Sequence, residues 1–319
     1  MASLVVATTA DPASINPAKA LLAMPGWEQG PTLEGGIRSF RNSRGSLRLL
    51  EHDKSIIVED NLDSRWEAAT GETVAEMIFL SKHVAASTRP ALTIHPIGVP
   101  HLKDGDVLPQ GGKPGWAGPP CPRMGPWLIL LQKIAESHNL VPEFEITLEA
   151  THHGPITTTP TMFIEIGSTQ DYWGREDAAR VVALLVWEGL GFGESPAVGV
   201  WSSSTERKKV LLGLGGGHYV PRHMDVIKKD GTWVGHLLSG YSLPMEEPKD
   251  PKAKVTPEDI GGTWKQAIKV AFDATQVAFP GGDIIAHLDH KSFKGWQKNA
   301  ITDFLGKQNI KIGKPADFA

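Results

Sequence analysis

The chain has 319 residues, of which 40% are hydrophobic and 21% are charged, and its formal net charge is −4. This length and apolar content suffice for a sizeable core. Because the net charge is negative, the chain as a whole would not attract a polyanion, and a nucleic-acid partner would need a local basic patch. No apolar run reaches the roughly 20 residues of a membrane span, and a single cysteine, Cys121, excludes an internal disulfide and a cysteine-based zinc cluster. The start lacks the basic segment of a signal peptide, so we expect a cytoplasmic protein in which any metal ligands are imidazoles and carboxylates.

Strand and helix signals alternate along the chain. Short apolar or alternating runs predict strands at 3–8, 46–52, 77–81, 91–97, 143–150, 162–167, 210–213, 283–288 and 309–312. Longer runs with apolar residues at helical spacing predict helices at 15–24, 127–138, 176–189, 264–278 and 294–305. An Asp-Gly pair inside 225–238 predicts a hairpin there. The alternation predicts an α/β fold with a mixed, largely parallel sheet flanked by helices.

Two segments interrupt this alternation. One is a Pro/Gly-rich insert near 104–126, and the other is a polar, solvated loop near 246–259. The sequence contains no fixed-period repeat. We therefore expect 1–319 to form one compact α/β unit, or two lobes separated at these segments.

Histidines recur at or just after the ends of the predicted strands. They are His83, His95, His152, His153, His218, His287 and His290. In open parallel sheets the carboxyl ends of strands form the crevice where ligands bind, so we expect these side chains to converge on one rim. The loop after the first strand would join them and supply Asp11 and Ser14 as substrate-binding residues. For any single histidine the alternative is a hydrogen-bonded loop residue.

The segment GGGHYVPRHMD, residues 215–225, combines several binding groups. It is not a dinucleotide loop, because His218 stands where the third glycine of that fingerprint is required. We expect the glycines Gly215, Gly216 and Gly217 to offer N–H groups to an anion and Arg222 to bind phosphate. The sequence also lacks His-Glu-x-x-His and Gly-x-Ser-x-Gly motifs and a P-loop lysine.

Further candidate groups flank this segment. The run EATHHGP offers a carboxylate and two imidazoles, and the run HLDH offers a mixed imidazole and carboxylate set suited to zinc or to acid–base chemistry. We predict catalytic roles for Glu149, His152 and His218, and metal ligation by His153, His223, His287, Asp289 and His290. Lys291 and Lys294 begin a basic, aromatic-bearing surface that could bind phosphates, although a solvated helix face is the alternative. Which histidine serves which role stays open at this stage.

The motifs GGGHYVPRHMD, THHGP and HLDHKSFKGWQK, together with the opening VATTADPASINPA, closely resemble the archaeal and plant family of D-aminoacyl-tRNA deacylases. The resemblance runs along essentially the whole chain and is closest to plant members. It implies hydrolysis of the ester between a D-amino acid and the 3′ end of tRNA, dependence on zinc, and a fold like that of peptidyl-tRNA hydrolase and the phosphorylases. For plant members it also implies clearance of aldehyde-modified D-aminoacyl-tRNA and tolerance of aldehydes and ethanol.

Joined to the candidate residues, the resemblance suggests a mechanism in which zinc-activated water attacks the ester and histidine or Glu149 assists its deprotonation. Two other interpretations stay open. One is a zinc-dependent peptidase or amidase acting on small peptides, and the other is a nucleotide- or RNA-binding module without catalysis.

Overall fold

A large mixed sheet forms the first part of the fold. The computed structural model describes residues 1–108, 110–205, 207–230, 232–248 and 256–318. The strands of the large sheet are β1 (Ala2–Thr8), β2 (Trp27–Gln29), β3 (Arg38–Asn42), β4 (Leu47–His52), β5 (Val74–Lys82), β6 (Ala91–His95), β7 (Glu145–Leu148) and β8 (Thr161–Gly167). Their order is β2-β3-β4-β1-β5-β8-β6-β7.

Strand direction reverses within this sheet. β4, β1, β5 and β8 are parallel to one another, whereas β6 pairs antiparallel with β8 and parallel with β7. The short β2 and β3 add an antiparallel edge. The predicted mixed, largely parallel sheet is confirmed, and its direction changes at the β8–β6 pair.

A second, wholly parallel sheet follows along the chain. Its strands are β9 (Lys209–Leu214), β10 (Trp233–Leu238), β11 (Asp283–Leu288) and β12 (Lys311–Ile312), in the order β10-β9-β11-β12. The chain leaves β9 toward one side and returns on the other side as β11, so a topological switch point lies between these two strands.

Helices cover both sheets. They are α1 (Pro12–Leu22), α2 (Leu62–Thr70), α3 (Met124–Ser137), α4 (Gln170–Trp173), α5 (Glu176–Gly189), α6 (Pro221–Asp230), α7 (Trp264–Ala278) and α8 (Gly295–Lys307). Asp11 caps α1 by accepting a hydrogen bond from the Ala13 N–H, and Pro12 occupies the first helical position, where no N–H is needed. Within the described ranges, no helix is long and apolar enough to cross a membrane.

The central strands bury side chains on both faces. In β1 every residue is buried; Val5 and Ala7 face α1, α3 and α5, while Leu4 and Val6 pack with α2 on the opposite face. Alternation along a strand sends successive residues to opposite faces, so this almost continuous apolar run is typical of a strand covered on both sides.

The two sheets share one apolar core. Leu211, Leu237 and Ile285 of the second sheet belong to the same buried cluster as the helices of the first. The backbone of α3 passes close to the residue that precedes β10. Glycine is required at that point, because a Cβ on Gly125 would lie 2.1 Å from the Thr232 carbonyl oxygen. The division into one unit or two lobes stays a prediction, but the packing between the sheets is continuous.

One predicted element is wrong. Residues 225–238 do not form a hairpin: Pro221–Asp230 is α6, and β10 runs parallel to β9. Val220, Met224 and Ile227 are buried at helical spacing, and this period outweighs the local turn signal. Pro221 is the first residue of this helix, a position where proline is favoured because no N–H is needed. Apart from residue 109, which lies outside the described residues, the insert near 104–126 has no regular helix or strand until α3 begins. In the loop near 246–259, residues 249–255 also lie outside the described residues.

The predicted strands and helices otherwise occur within a few residues of their expected bounds. Four elements were missed: β2, β3, α2 and the four-residue α4. The two strands are short and partly exposed, and α2 (LDSRWEAAT) carries few apolar residues. Neither the alternation of a strand nor the helical spacing of apolar residues is therefore strong in these segments.

His236 joins the two sheets. Its Nε2–H donates to the Gly118 carbonyl oxygen at 2.9 Å, and its Nδ1 lies 3.0 Å from the Thr151 hydroxyl. The side chain is fully buried, and burial lowers the pKa of His236 to about 4. The imidazole is therefore neutral in the folded protein.

Acid should weaken this link. A folded-state pKa near 4 lies below the ordinary value of 6.5, so stability is present above pH 6.5 and is lost as the pH falls toward 4. We expect His236→Gln to lose roughly 2 kcal/mol less free energy of unfolding than the wild type between pH 7 and pH 4.5, measured by urea denaturation at both pH values. Equal losses in the two proteins would contradict the assignment.

Candidate active site

Seven titratable side chains meet on one face of the large sheet. We name this group the histidine–carboxylate cluster: His83, His95, Glu149, His152, His153, Glu165 and His218. His83, His95, Glu149 and Glu165 are buried, and His152, His153 and His218 are half-buried. Three predicted catalytic residues and one predicted metal ligand therefore lie together.

The reversal of strand direction brings this cluster together. His83 follows β5, and Glu165 lies on the neighbouring β8. β6 and β7 run the other way, so His95 pairs opposite Phe163, and Glu149 lies just beyond β7. The expected convergence on one parallel rim is therefore wrong for these strands, and the side chains meet on a sheet face instead. Phe163 packs against the His95 ring at 5.0 Å and closes the base of the cluster.

Glu149 lies at the centre of the cluster. Its Oε2 is 2.5 Å from His218 Nε2 and 3.6 Å from His152 Nε2, and its Oε1 is 3.2 Å from His83 Nδ1. Glu165 lies behind it, 3.5 Å from His83 Nδ1 and 3.7 Å from His95 Nε2. Two carboxylates thus hold the rings that surround them.

The electrostatics divide the imidazoles into two kinds. Burial alone would lower the pKa of His83, but contacts with Glu149 and Glu165 outweigh it and raise that pKa to about 9. Burial, helped by the charge on His95, lowers the pKa of His153 to about 3 and that of His152 well below its usual range. Burial opposes the ionisation of Glu149, yet His218 and His83 hold its pKa well below the usual value, so it is ionised at neutral pH.

Four of the histidines have their outer ring nitrogen engaged. Nδ1 of His152 bonds to the Ala150 carbonyl at 2.7 Å, and Nδ1 of His95 bonds to the Pro96 carbonyl at 3.1 Å. Nε2 of His83 and Nδ1 of His218 bond to tyrosine hydroxyls. In each ring the remaining nitrogen faces the cluster. This is the arrangement in which outer hydrogen bonds orient metal-binding imidazoles.

Several buried atoms of the cluster lack a hydrogen-bond partner among the described residues. They are Oε1 and Oε2 of Glu149, Oε1 of Glu165, Nε2 of His95 and Nδ1 of His153. A buried, unsatisfied carboxylate is costly unless a cation neutralises it. Two three-residue groups, His83–Glu149–His218 and His95–His152–His153, each place ligand atoms within 4.8 Å of one another, which suits a metal ion.

A cavity of about 380 Å³ opens onto the cluster. His83, His152, His153, Glu165 and His218 line one side. Asp11 and Lys82 also line the cavity, and Lys82 Nζ lies 3.4 Å from Asp11 Oδ2 and 4.9 Å from the centre of the Trp173 ring. The predicted substrate-binding residue Asp11 therefore lies beside the cluster.

The other predicted metal ligands lie at the switch point of the second sheet. His223 Nδ1 is 2.8 Å from His287 Nδ1, and His223 Nε2 lies 3.2 Å from the Gly215 carbonyl. Arg222 Nε lies 3.6 Å from Asp289 Oδ1. Burial lowers the pKa of His223 to about 4 and also lowers that of His287. The structure thus assigns His218 and His223 of one segment to two separate groups, and metal binding by His223, His287, Asp289 and the exposed His290 stays a prediction.

Several predicted substrate-binding groups are engaged within the fold. Ser14 is buried, and its hydroxyl donates to the Leu80 carbonyl and accepts from the Thr8 N–H. The N–H groups of Gly215 and Gly216 donate to the Leu238 carbonyl and the Ser292 hydroxyl.

Other predicted substrate-binding residues lie at the surface of the second sheet. Gly217, Lys291 and Lys294 lie there, and Lys294 Nζ is 3.2 Å from Glu247 Oε1. Substrate binding by all these residues stays a prediction.

Several residues of the site have no role predicted from the sequence. Glu165 is a lone carboxylate inside the apolar run MFIEIG, a signal that could have identified it, since a charge in a buried strand needs a partner. His83 and His95 were recognised at strand ends without an assigned role. Tyr219, Tyr241 and Lys82 carry no comparable signal, because their partners are distant in sequence.

Comparisons with known proteins agree on one family. A family model described as D-aminoacyl-tRNA deacylase matches residues 70–313. The D-aminoacyl-tRNA deacylase of Arabidopsis thaliana is 67% identical over 318 residues, covering 100% of both chains. The protein of the same name from Aeropyrum pernix is 28% identical, covering 96% of each chain.

A solved structure described as a conserved protein of unknown function superimposes with a TM-score of 0.73 at 24% identity, covering 99% of this chain and 96% of that one. It supports the α/β fold. The fold and the buried cluster define a hydrolase-type site, and the chain belongs to the D-aminoacyl-tRNA deacylase family. The resemblance stated from the sequence is confirmed.

Metal binding should separate the two histidine groups. We expect His218→Ala to weaken Zn²⁺ binding by roughly tenfold or more, because it removes a ligand atom from the cluster. His223→Ala should bind Zn²⁺ as the wild type does, and so should His138→Ala, an exposed control at the end of α3. The measurement is competition against a chromophoric chelator. Weakening by His223→Ala without weakening by His218→Ala would place the metal at the switch point instead.

Proposed function

We propose that the chain hydrolyses the ester of D-aminoacyl-tRNA to free D-amino acid and tRNA, with the histidine–carboxylate cluster as its active site and zinc as its metal. Membership of the deacylase family supports the reaction. The observation that carries the assignment to this site is Glu149, a fully buried carboxylate among imidazoles, with neither oxygen hydrogen bonded within the described chain, beside an open cavity.

The residues present fit zinc. Imidazole and carboxylate ligands, grouped in threes, leave a coordination position for water, as catalytic zinc sites do. His83, Glu149 and His218 would form one ligand group, and His95, His152 and His153 the other. When bound, zinc would lower the pKa of a water to about 7 and polarise the ester carbonyl. Of the ligands predicted from the sequence, this choice keeps only His153. It adds His83 and His95, and it gives a ligand role to the predicted catalytic residues Glu149, His152 and His218.

The side chains of the cluster have separable tasks. Glu149 remains ionised over the neutral range because adjacent imidazoles hold its pKa low, so it can accept a hydrogen bond or a proton from the attacking water. Glu165 contacts the rings of His83 and His95 and fixes where their inner nitrogens point. His152 and His218, the other predicted catalytic residues, line the cavity where the ester would lie.

The cavity wall away from the cluster suits the rest of the substrate. The Asp11 carboxylate would attract the α-ammonium group of the amino acid, and the half-exposed Lys82 would contact a phosphate near the 3′ end of the tRNA. Discrimination against L-amino acids would be steric, since reversing the stereocentre redirects the side chain into the cavity wall. We also propose that aldehyde-modified D-aminoacyl-tRNA is a substrate and that the protein acts in the cytoplasm.

A small-peptide hydrolase is the alternative function. A cluster that activates water could also cleave an amide, and the family assignment argues against this alternative. The partner chemistry distinguishes the two, because tRNA binding releases counterions and peptide binding does not.

The central test uses matched D- and L-aminoacyl-tRNA. We expect release of the D-amino acid, loss of activity on chelation, and recovery on addition of Zn²⁺. Glu149→Gln, nearly identical in shape, should lower kcat by about 10²–10⁴-fold, since it removes the charge that orients and deprotonates water. Full activity in verified metal-free protein would contradict the role of zinc, and equal hydrolysis of the L-isomer would contradict the chiral assignment.

Salt dependence tests the tRNA contact. We expect KM for D-aminoacyl-tRNA to rise steeply between 50 and 200 mM salt, and Lys82→Ala to reduce the slope of log KM against log salt by about 1. Lys133→Ala, on the exposed face of α3, is the matched control and should leave the slope unchanged. A salt-independent KM would favour the peptide alternative.

A further inference from the structure

Two tyrosines flank the cluster, each hydrogen bonded to one of its histidines. The Tyr219 hydroxyl lies 2.8 Å from His83 Nε2, and the Tyr241 hydroxyl lies 2.9 Å from His218 Nδ1. The opposite ring nitrogens, His83 Nδ1 and His218 Nε2, face Glu149 at 3.2 Å and 2.5 Å. The two tyrosines thus occupy equivalent positions on either side of the same carboxylate.

Metal binding by His83 would fix the direction of its hydrogen bond to Tyr219. A metal-bound imidazole directs the lone pair of one nitrogen to the metal and carries its proton on the other nitrogen. With Nδ1 facing Glu149, His83 would carry this proton on Nε2 and donate it to the Tyr219 hydroxyl oxygen. On the far side of Tyr219, the Ser168 hydroxyl donates to the Arg89 carbonyl at 2.5 Å.

Tyr241 holds the second ring in the corresponding way. Its hydroxyl is hydrogen bonded to His218 Nδ1 at 2.9 Å. When His218 donates from Nδ1, its Nε2 presents a lone pair toward Glu149. The two lone pairs and the Glu149 carboxylate then converge, and these are the ligand atoms of one of the two metal-binding groups.

We propose that Tyr219 and Tyr241 are positioning residues that hold His83 and His218 in the tautomer and orientation required to bind a metal ion. They act through the imidazoles and not by touching the substrate. The inference rests on the proposed metal site, and it extends that site to two tyrosine hydroxyls. Outer hydrogen bonds of this kind typically change metal affinity by about 10–100-fold.

The chain offers a matched set of variants, since it contains three tyrosines. Tyr219→Phe and Tyr241→Phe each remove one hydroxyl next to a histidine. Tyr172→Phe removes the third, which lies on α4 with its ring against Phe144, away from the cluster. Ser168→Ala leaves Tyr219 in place but removes a neighbouring hydroxyl that influences its ionisation. All four use the full chain, with folding verified by circular dichroism before metal is added.

The readout is Zn²⁺ affinity, measured by competition with a chromophoric chelator, together with the visible spectrum of the Co²⁺-loaded protein. We expect about 10–100-fold weaker Zn²⁺ binding and an altered Co²⁺ spectrum for Tyr219→Phe and Tyr241→Phe. Ser168→Ala should weaken binding to a smaller extent, and Tyr172→Phe should match the wild type.

Two results would overturn the inference. Wild-type affinity and spectrum in both Tyr219→Phe and Tyr241→Phe would show that the hydroxyls do not position ligands, and equal weakening by Tyr172→Phe would show a general effect. Failure of the proposed function is distinguishable, because it appears as unchanged D-aminoacyl-tRNA in the wild-type assay, whatever the zinc affinities of the variants.

Discussion

The site depends on burying the charge of Glu149. An ionised carboxylate without solvent is costly unless positive charge or hydrogen bonds surround it, and imidazoles provide that surrounding here. The backbone around Glu149 is also hydrogen bonded. The Glu149 N–H donates to the Ile94 carbonyl, the Ala150 N–H to the His218 carbonyl, and the Thr151 N–H to the Leu237 carbonyl. The first bond continues the pairing of β7 with β6, and the other two connect the large sheet to the second one. Glu149, whose buried charge must be compensated, therefore lies where the two sheets join.

The reversal of strand direction explains why the cluster is dense. In an all-parallel sheet, residues that follow the strands would lie along one edge, spaced by about 5 Å per strand. Here β5 runs parallel to β8 and β6 runs antiparallel to it. His83, which follows β5, and His95, at the end of β6, therefore approach Glu165 from opposite directions. The cluster then lies on the sheet face above Phe163, in a setting dry enough to shift the pKa values of its members strongly in both directions.

The sequence predicts the elements of the fold better than the assignment of its histidines. Strong hydrophobic periods located most strands and helices, and the placement of histidines after strands pointed to the candidate site. It could not show that His218 and His223, five residues apart, belong to different groups, because that follows from where α6 begins. Nor could it show that β6 runs against β8, since direction within a sheet is a tertiary property. Glu165 was within reach of sequence reasoning, whereas Tyr219 and Tyr241 were not, since each is defined by one contact between distant segments.

The histidines of the cluster are oriented in two different ways, some by backbone carbonyls and others by tyrosine hydroxyls. His95 and His152 bond to carbonyl groups of their own segments, next to or two residues from the ring, so their orientation is fixed wherever the local backbone is formed. His83 and His218 depend on tyrosines, and His218, Tyr219 and Tyr241 all come from loops of the second sheet. That half of the cluster is complete only when the second sheet is packed against the first. Binding a metal through His83, Glu149 and His218 would therefore stabilise the packing of the two sheets as well as the site, because ligand binding stabilises whichever state holds the ligands together.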